Sequence, residues 1–216
     1  MPKKTGRRSP GRPKVPVARE LLIAKARSAF AEAGYAGASM AQIAEQVGIR
    51  KSTLFHHVTS KEQLYVEVME GLLADLESLV LKSMAPETFP DRLDRLGELV
   101  SRYLGENPDA ARLIVREFAG HGDLVPEGLQ VAVGGTIRAI AMFLRLGMDE
   151  GKITVRDPDH LAMSLIGMHL MYWAAPGVSR LIAGDDIFTE CAVQARIDEA
   201  QIHARQLCGV EESSDA

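Results

Sequence analysis

Cysteine is nearly absent: 216 residues contain two, Cys191 and Cys208. So small a number excludes a disulfide framework and fits a reducing, cytoplasmic setting. Long apolar runs are missing too. The nearest candidate, Leu161 to Ala175, carries Ser164 and His169 and falls short of the ~18 residues a membrane span needs. The start is basic but no hydrophobic region follows it, so neither export nor membrane insertion is expected. Metal-ligand spacing is absent. His121, His160, His169 and His203 show no H-x-x-x-H pattern, and the adjacent His56 and His57 would point about 100° apart on a helix. No zinc site or cofactor is expected. Val133-Gly134-Gly135-Thr136 lacks the lysine and the length of a phosphate-binding loop, and no Ser/His/Asp grouping suggests nucleophilic catalysis. The composition argues against an enzyme.

What is present is ordinary core-forming material, 46% hydrophobic and 25% charged, enough for one large domain or two small ones. The charge is divided unevenly. Residues 1–60 hold eleven Lys/Arg against three Glu, a formal +8, and the remainder holds 14 basic and 26 acidic residues, −12. One end is suited to a polyanion and the other is not. Residues 1–16 combine four prolines, two glycines and six basic residues with no acid; such a segment cannot build a core and reads as a disordered arm.

The rest reads as helices, about nine, with no convincing strand or internal repeat. Leu22, Ala26, Ala29, Phe30 and Ala33 make one apolar stripe, and Gly34 is the natural stop because a residue past a helix end often needs positive φ. Ser39 with Gln42 forms the spacing of a capping box for a short second helix whose buried face is Met40, Ile43, Ala44 and Val47. Gly48 closes it. A third helix is expected over Lys51–Val58, and Ser60 with Gln63 caps a long fourth helix striped by Leu64, Val68, Leu72, Leu76 and Leu79. Further helices follow over Leu93–Leu104, Leu113–Phe118 and Leu129–Met148. Another begins at Asp157-Pro158 and runs to Pro176, and a last one runs from about Asp185 to Leu207. The fold class is all-α.

The second and third helices are joined by Gly48-Ile49, too short a link for antiparallel packing, so they cross at a large angle as a helix-turn-helix. In that geometry the second helix of the pair enters the DNA major groove with its first residues against base edges. Those residues are Arg50, Lys51, Ser52 and Thr53, all able to hydrogen-bond. Ser39 and the N-terminus beside it can hold a phosphate, and His56, His57 and Lys61 stand where they reach phosphates on either side.

This segment resembles the tetracycline-repressor (TetR) family of bacterial transcriptional regulators. The resemblance rests on Phe30, Gly34-Tyr35, Ser39-Met40, Ile43-Ala44, Val47-Gly48-Ile49, Thr53-Leu54-Phe55, His57 and Ser60-Lys61-Glu62. It implies a helix-turn-helix DNA-binding domain over 17–77 (motif about 39–59) and a ligand-binding and dimerisation domain over 78–210, with a tail at 211–216. It further implies a homodimer whose two heads bind an inverted-repeat operator in double-stranded DNA, released by a small-molecule effector. Phe55 stands where the family usually has Tyr and lacks its hydroxyl. Arg50 replaces the family's frequent Ser or Ala helix cap, which forgoes a cap interaction of about 1 kcal/mol and places a guanidinium at the groove, where it reads a base or holds a phosphate. Arg12, in the Gly-Arg-Pro of the arm, can lie in a narrow minor groove; an unengaged tail is the alternative.

The second half is rich in methionine, a soft filler suited to an apolar ligand pocket. Tyr103, Phe118, Met142, His169 and Trp173 are the expected lining. The last two helices carry small residues, Ala162, Gly167, Ala192 and Ala195, which allow the close approach of a four-helix dimer interface. Two other functions fit the same composition: a nonspecific architectural DNA-binding protein, and an apolar-ligand carrier with a vestigial helix-turn-helix.

Overall fold

The computed structural model describes residues 19–119, 127–184 and 186–210, without the side chains of residues 118, 127, 128 and 182. The arm with Arg12, the expected break at Gly120 and Gly122, His121, Asp185 and the tail lie outside the described residues. Among the described residues there are ten helices and no strand: α1 Arg19–Gly37, α2 Met40–Val47, α3 Lys51–Leu54, α4 Lys61–Ser83, α5 Phe89–Glu106, α6 Pro108–Ala119, α7 Glu127–Asp149, α8 Pro158–Ala174, α9 Pro176–Ala183 and α10 Glu190–Cys208.

The sequence signals that hold are the ones with a definite backbone requirement. Gly34 has φ 72 inside α1, so regular helix ends there. Gly48 takes the left-handed conformation at φ 79, and its N–H and that of Ile49 close the end of α2. Asp157 accepts from the N–H groups of Asp159 and His160, with Pro158 at the first helical position. Ser60 accepts from Gln63 N at 3.0 Å, although the Gln63 amide oxygen turns to the N–H and hydroxyl of Thr59 instead of closing a reciprocal box.

Four expectations need correction. Ser39 makes no side-chain capping bond. Helix α3 is only four residues long, because beyond Phe55 the backbone switches to the tighter pattern His56 N→Thr53 O and His57 N→Leu54 O. Pro176 opens a helix, α9, as well as ending the previous one, since its missing N–H costs nothing at a first helical position. The last helix starts at Glu190 with Thr189 as its cap, because Ile187, fully buried, pins the preceding turn into the core.

Two apolar clusters carry the fold. The first runs from Leu22, Phe30, Ile43 and Leu54 in the head through Tyr65 and Leu72 of α4 to Ile114, Leu170 and Trp173. The second joins Phe89, Leu93, Phe143, Leu144, Leu165 and Cys208. Leu76, Val100 and Tyr103 pack against both. Helix α5 is tied to α10 by Arg205–Asp94 and by Arg102, which donates to Glu190 at 2.9 Å and Gln194 at 2.8 Å. Helix α7 over Leu129–Asp149 has mean hydropathy 1.5 and by length and composition alone is able to cross a membrane. Here it packs on α4 and α8, with Arg138 and Arg145 interrupting its apolar sequence.

Helix α7 comes so close to α5 that Gly147 abuts the Phe89 ring where a Cβ would stand. Phe89 is fully buried and packs on Phe143 at 5.0 Å, so it has no room to retreat. Gly147→Val is expected to lower stability by about 1–3 kcal/mol through overpacking. Urea unfolding checks this, and partial recovery in Gly147→Val/Phe89→Leu would assign the loss to that ring.

Candidate nucleic-acid interface and core cavity

Leu54 and Val58, both buried, fasten α3 to the head core, and this orients the opposite side of the segment outward. Arg50, Lys51 and Ser52 are exposed and Thr53 is half-buried. Arg50 is the extended residue before α3 and its side chain makes no cap. Phe55, His56 and His57 are exposed next to them. The same head carries the start of α2. Its first internal bond is Ile43 N→Ser39 O, so the preceding amides and the uncapped Ser39 hydroxyl offer donors to an anion. The head thus carries exposed cations and hydroxyls at the start of α3 and an uncapped helix start at α2.

Two of the expected contacts are otherwise occupied. Met40 is buried in the head core and contributes its backbone N–H rather than its side chain. Lys61 Nζ donates to Ala36 O at 3.1 Å and sits 4.9 Å from the Tyr35 ring centre, so it braces the link between α1 and α2. The head is further fixed by Arg19, which pairs with Glu67 and donates to His57 O at 2.9 Å, and by Phe30 edge-on to Tyr65 at 5.0 Å.

Polar and close contacts to α6 help connect the head to the body. Tyr65 donates to Glu117 of α6, and its burial together with that carboxylate pushes the phenol well above its ordinary range. Ser28 donates to Asp109. The Arg116 guanidinium lies 2.6 Å from where a Cβ on Gly34 would be, so the missing side chain lets α6 close on α1.

Helices α4, α5, α7 and α8, with Ile114 of α6 and Ala204 of α10, line an apolar cavity that opens to solvent. Leu73, Leu76, Leu93, Ile137, Ile140 and Leu165 are typical of its wall, and Thr136 and His169 supply its polar side chains. Thr136 Oγ1 donates to Glu77 at 3.1 Å. His169 Nδ1 lies 3.4 Å from the buried Ser101 hydroxyl. Burial and the nearby Arg196 lower the imidazole to about 4, so it is neutral near pH 7. The other expected lining residues sit elsewhere. Tyr103 donates to Asp75 at 2.9 Å between the two clusters. Met142 is 71% exposed, on the outer face of α7. Trp173 is fully buried in the first cluster, against Tyr172 and Phe188. The Phe118 side chain lies outside the described residues. Sequence spacing did not reveal the cavity wall because it consists mainly of Leu, Ile and Val, indistinguishable from core.

The depressed His169 has a measurable consequence. The unfolded imidazole takes a proton near pH 6.5 whereas the folded one resists until about 4. Its contribution is therefore complete above pH 6.5 and is lost as pH falls towards 4. Stability should drop by about 2 kcal/mol from this group between pH 7 and pH 5. Urea midpoints across that range should fall more steeply for the native chain than for His169→Gln.

Cys191 is exposed and Cys208 buried on the same helix. Burial pushes the Cys208 thiol up to about 11, so it stays protonated.

The family model for bacterial regulatory proteins of the tetR family matches residues 22–68, the segment that carries this face. Over that segment the chain is similar to the TetR family. It is 28% identical over 177 residues to the HTH-type transcriptional regulator RutR of Escherichia coli, covering 80% of this chain and 77% of that one. Among solved structures it is similar to the TetR-family regulator PfmR of Thermus thermophilus, with TM-score 0.67 and 18% identity over 93% of this chain and 100% of that one. It is also similar to AibR, solved with isovaleryl coenzyme A and operator DNA, with TM-score 0.67 and 20% identity over 89% and 98%. The chain is accordingly a DNA-binding transcriptional regulator with an N-terminal helix-turn-helix and a helical C-terminal region.

Proposed function

We propose that this TetR regulator is a cytoplasmic repressor that binds an inverted-repeat operator as a dimer and leaves it when a mostly apolar effector enters the core cavity. The observation that carries this reading is the row Arg50–Thr53 at the start of α3, exposed except for the half-buried Thr53. Residues 17–77 form the DNA-binding unit and 78–210 the effector and dimer unit. Arg50, Lys51, Ser52 and Thr53 face base edges. Ser39, the Met40 amide, Phe55, His56 and His57 meet the backbone, Lys61 holds the turn that presents them, and Arg12 follows the adjoining groove. The chain acts by binding rather than catalysis.

The dimer reading is supported by the exposed sides of two helices. Met163, Gly167 and Met171 on α8, with Ala195 and Ile202 on α10, face outward, and soft or small side chains there permit close packing of a second copy. Ala162, expected in that stripe, is buried in the chain's own core. AibR was solved with both an acyl coenzyme A and operator DNA, which supports effector and operator being handled by this fold.

Fluorescence anisotropy on the DNA upstream of the chain's own gene, with a scrambled duplex as competitor, tests the reading. Binding should survive the scrambled competitor and weaken on the order of a thousandfold between 50 and 200 mM salt. Equal affinity for both duplexes would favour an architectural protein, and no affinity for either a carrier.

A further inference from the structure

The wall of the cavity defines what can occupy it. Among the described residues no Lys, Arg, Asp or Glu lines it, so an ionised carboxylate or ammonium inside would lose its hydration without a partner, at a cost of several kcal/mol. Behind the wall Glu77, which accepts from Thr136, carries negative charge and Arg196 acts on His169 with positive charge. Arg196 is not part of the wall. It donates to Met168 O at 2.8 Å and lies over the Tyr172 ring at 4.7 Å, with its Nε buried and unpartnered.

One polar atom remains available. His169 is 8% exposed, its Nδ1 is engaged by Ser101, and its Nε2 has no hydrogen-bond partner among the described residues. Beside it stands Gly97, also a wall residue. A Cβ there would lie 3.8 Å from His169 Cε1 and 4.0 Å from Nε2, so the missing side chain leaves the approach to Nε2 open.

We infer that the effector is an uncharged molecule with an apolar body and one carbonyl or hydroxyl oxygen, and that His169 Nε2 is the group that binds this oxygen. The inference rests on reading this cavity as the effector site. Where Ser101 donates to Nδ1, Nε2 carries the proton and donates it to the ligand oxygen; in the other tautomer it accepts from a ligand hydroxyl. A neutral imidazole serves both, and it remains neutral because it is buried near Arg196.

Calorimetric titration of the full chain at pH 7.5 with 1-octanol, 2-octanone and octanoate tests this. The two neutral probes should bind at least about tenfold more tightly than the anion. His169→Leu should weaken both neutral probes about five- to tenfold, the loss of one hydrogen bond. Gly97→Ala serves as the second variant, because its Cβ meets only ordinary contacts and alanine favours the helix. It should unfold at a higher temperature yet bind the neutral probes more weakly. Octanoate binding as tightly as octanol, or neutral binding unchanged in His169→Leu, would overturn the inference while leaving the cavity an effector site. No binding of any probe to the folded chain would overturn the effector reading itself.

Discussion

Replacing Arg50 and Lys51 together with alanine should lower operator affinity at least about a hundredfold and leave thermal unfolding unchanged. Both side chains are exposed and neither makes a hydrogen bond or ion pair among the described residues, so the fold loses nothing with them. Each contact to a base edge or phosphate contributes about 1–3 kcal/mol, and two lost from each of the two heads exceed the hundredfold figure even at the low end of that range. The single variants separate their roles. Arg50→Ala should relax preference at one base position if the guanidinium reads a base. A phosphate contact would instead weaken all sequences alike and reduce the salt dependence by about one unit of slope. Anisotropy with matched and single-base-changed duplexes distinguishes these, and unaltered affinity in the double variant would remove the head from the mechanism.

The second large effect is on the head's own core. Phe30 is fully buried, edge-on to Tyr65 at 5.0 Å and 6.4 Å from Tyr35. Around it are Leu22, Ala26, Ile43 and Leu54. Phe30→Ala should cost about 3–5 kcal/mol, the transfer term plus the cavity left behind, a large part of the stability of an ordinary domain. Because the same cluster continues to Ile114 and Trp173, the loss should appear in the unfolding of the whole chain as well as in DNA binding. Urea unfolding followed by far-ultraviolet dichroism measures it. A loss under about 1 kcal/mol would mean that the cluster collapses around the gap.

The head was legible in the sequence because its signals are local and stereochemical. Gly34 and Gly48 need positive φ, and the Gly48-Ile49 link admits only a crossed helix pair; in the body Asp157-Pro158 marks a helix start in the same way. Ser39-x-x-Gln42 and Ser60-x-x-Gln63 show the limit of such signals. They have the same spacing, yet only Ser60 accepts its amide, because spacing permits a cap without selecting the rotamer. The cavity was far less legible. Helix α8 is apolar on nearly every side, so periodicity cannot distinguish the inward His169 from the outward Met163 and Met171. Methionine also misled in the case of Met142, whose soft side chain suits an exposed face as well as a pocket. The short α9 was hidden by Pro176-Gly177, which reads as a break in any sequence and here opens a helix.

Two copies of this head, held by one symmetric body, should read a two-fold DNA site. Selection of bound sequences from a pool of randomised duplexes by the purified full chain tests it most directly. The expected result is enrichment of an inverted repeat with half-sites separated by about one helical turn or a multiple of it, and loss of that enrichment with the Arg50/Lys51 double variant. Enrichment of a single unpaired half-site, or recovery of the pool without sequence preference, would contradict it.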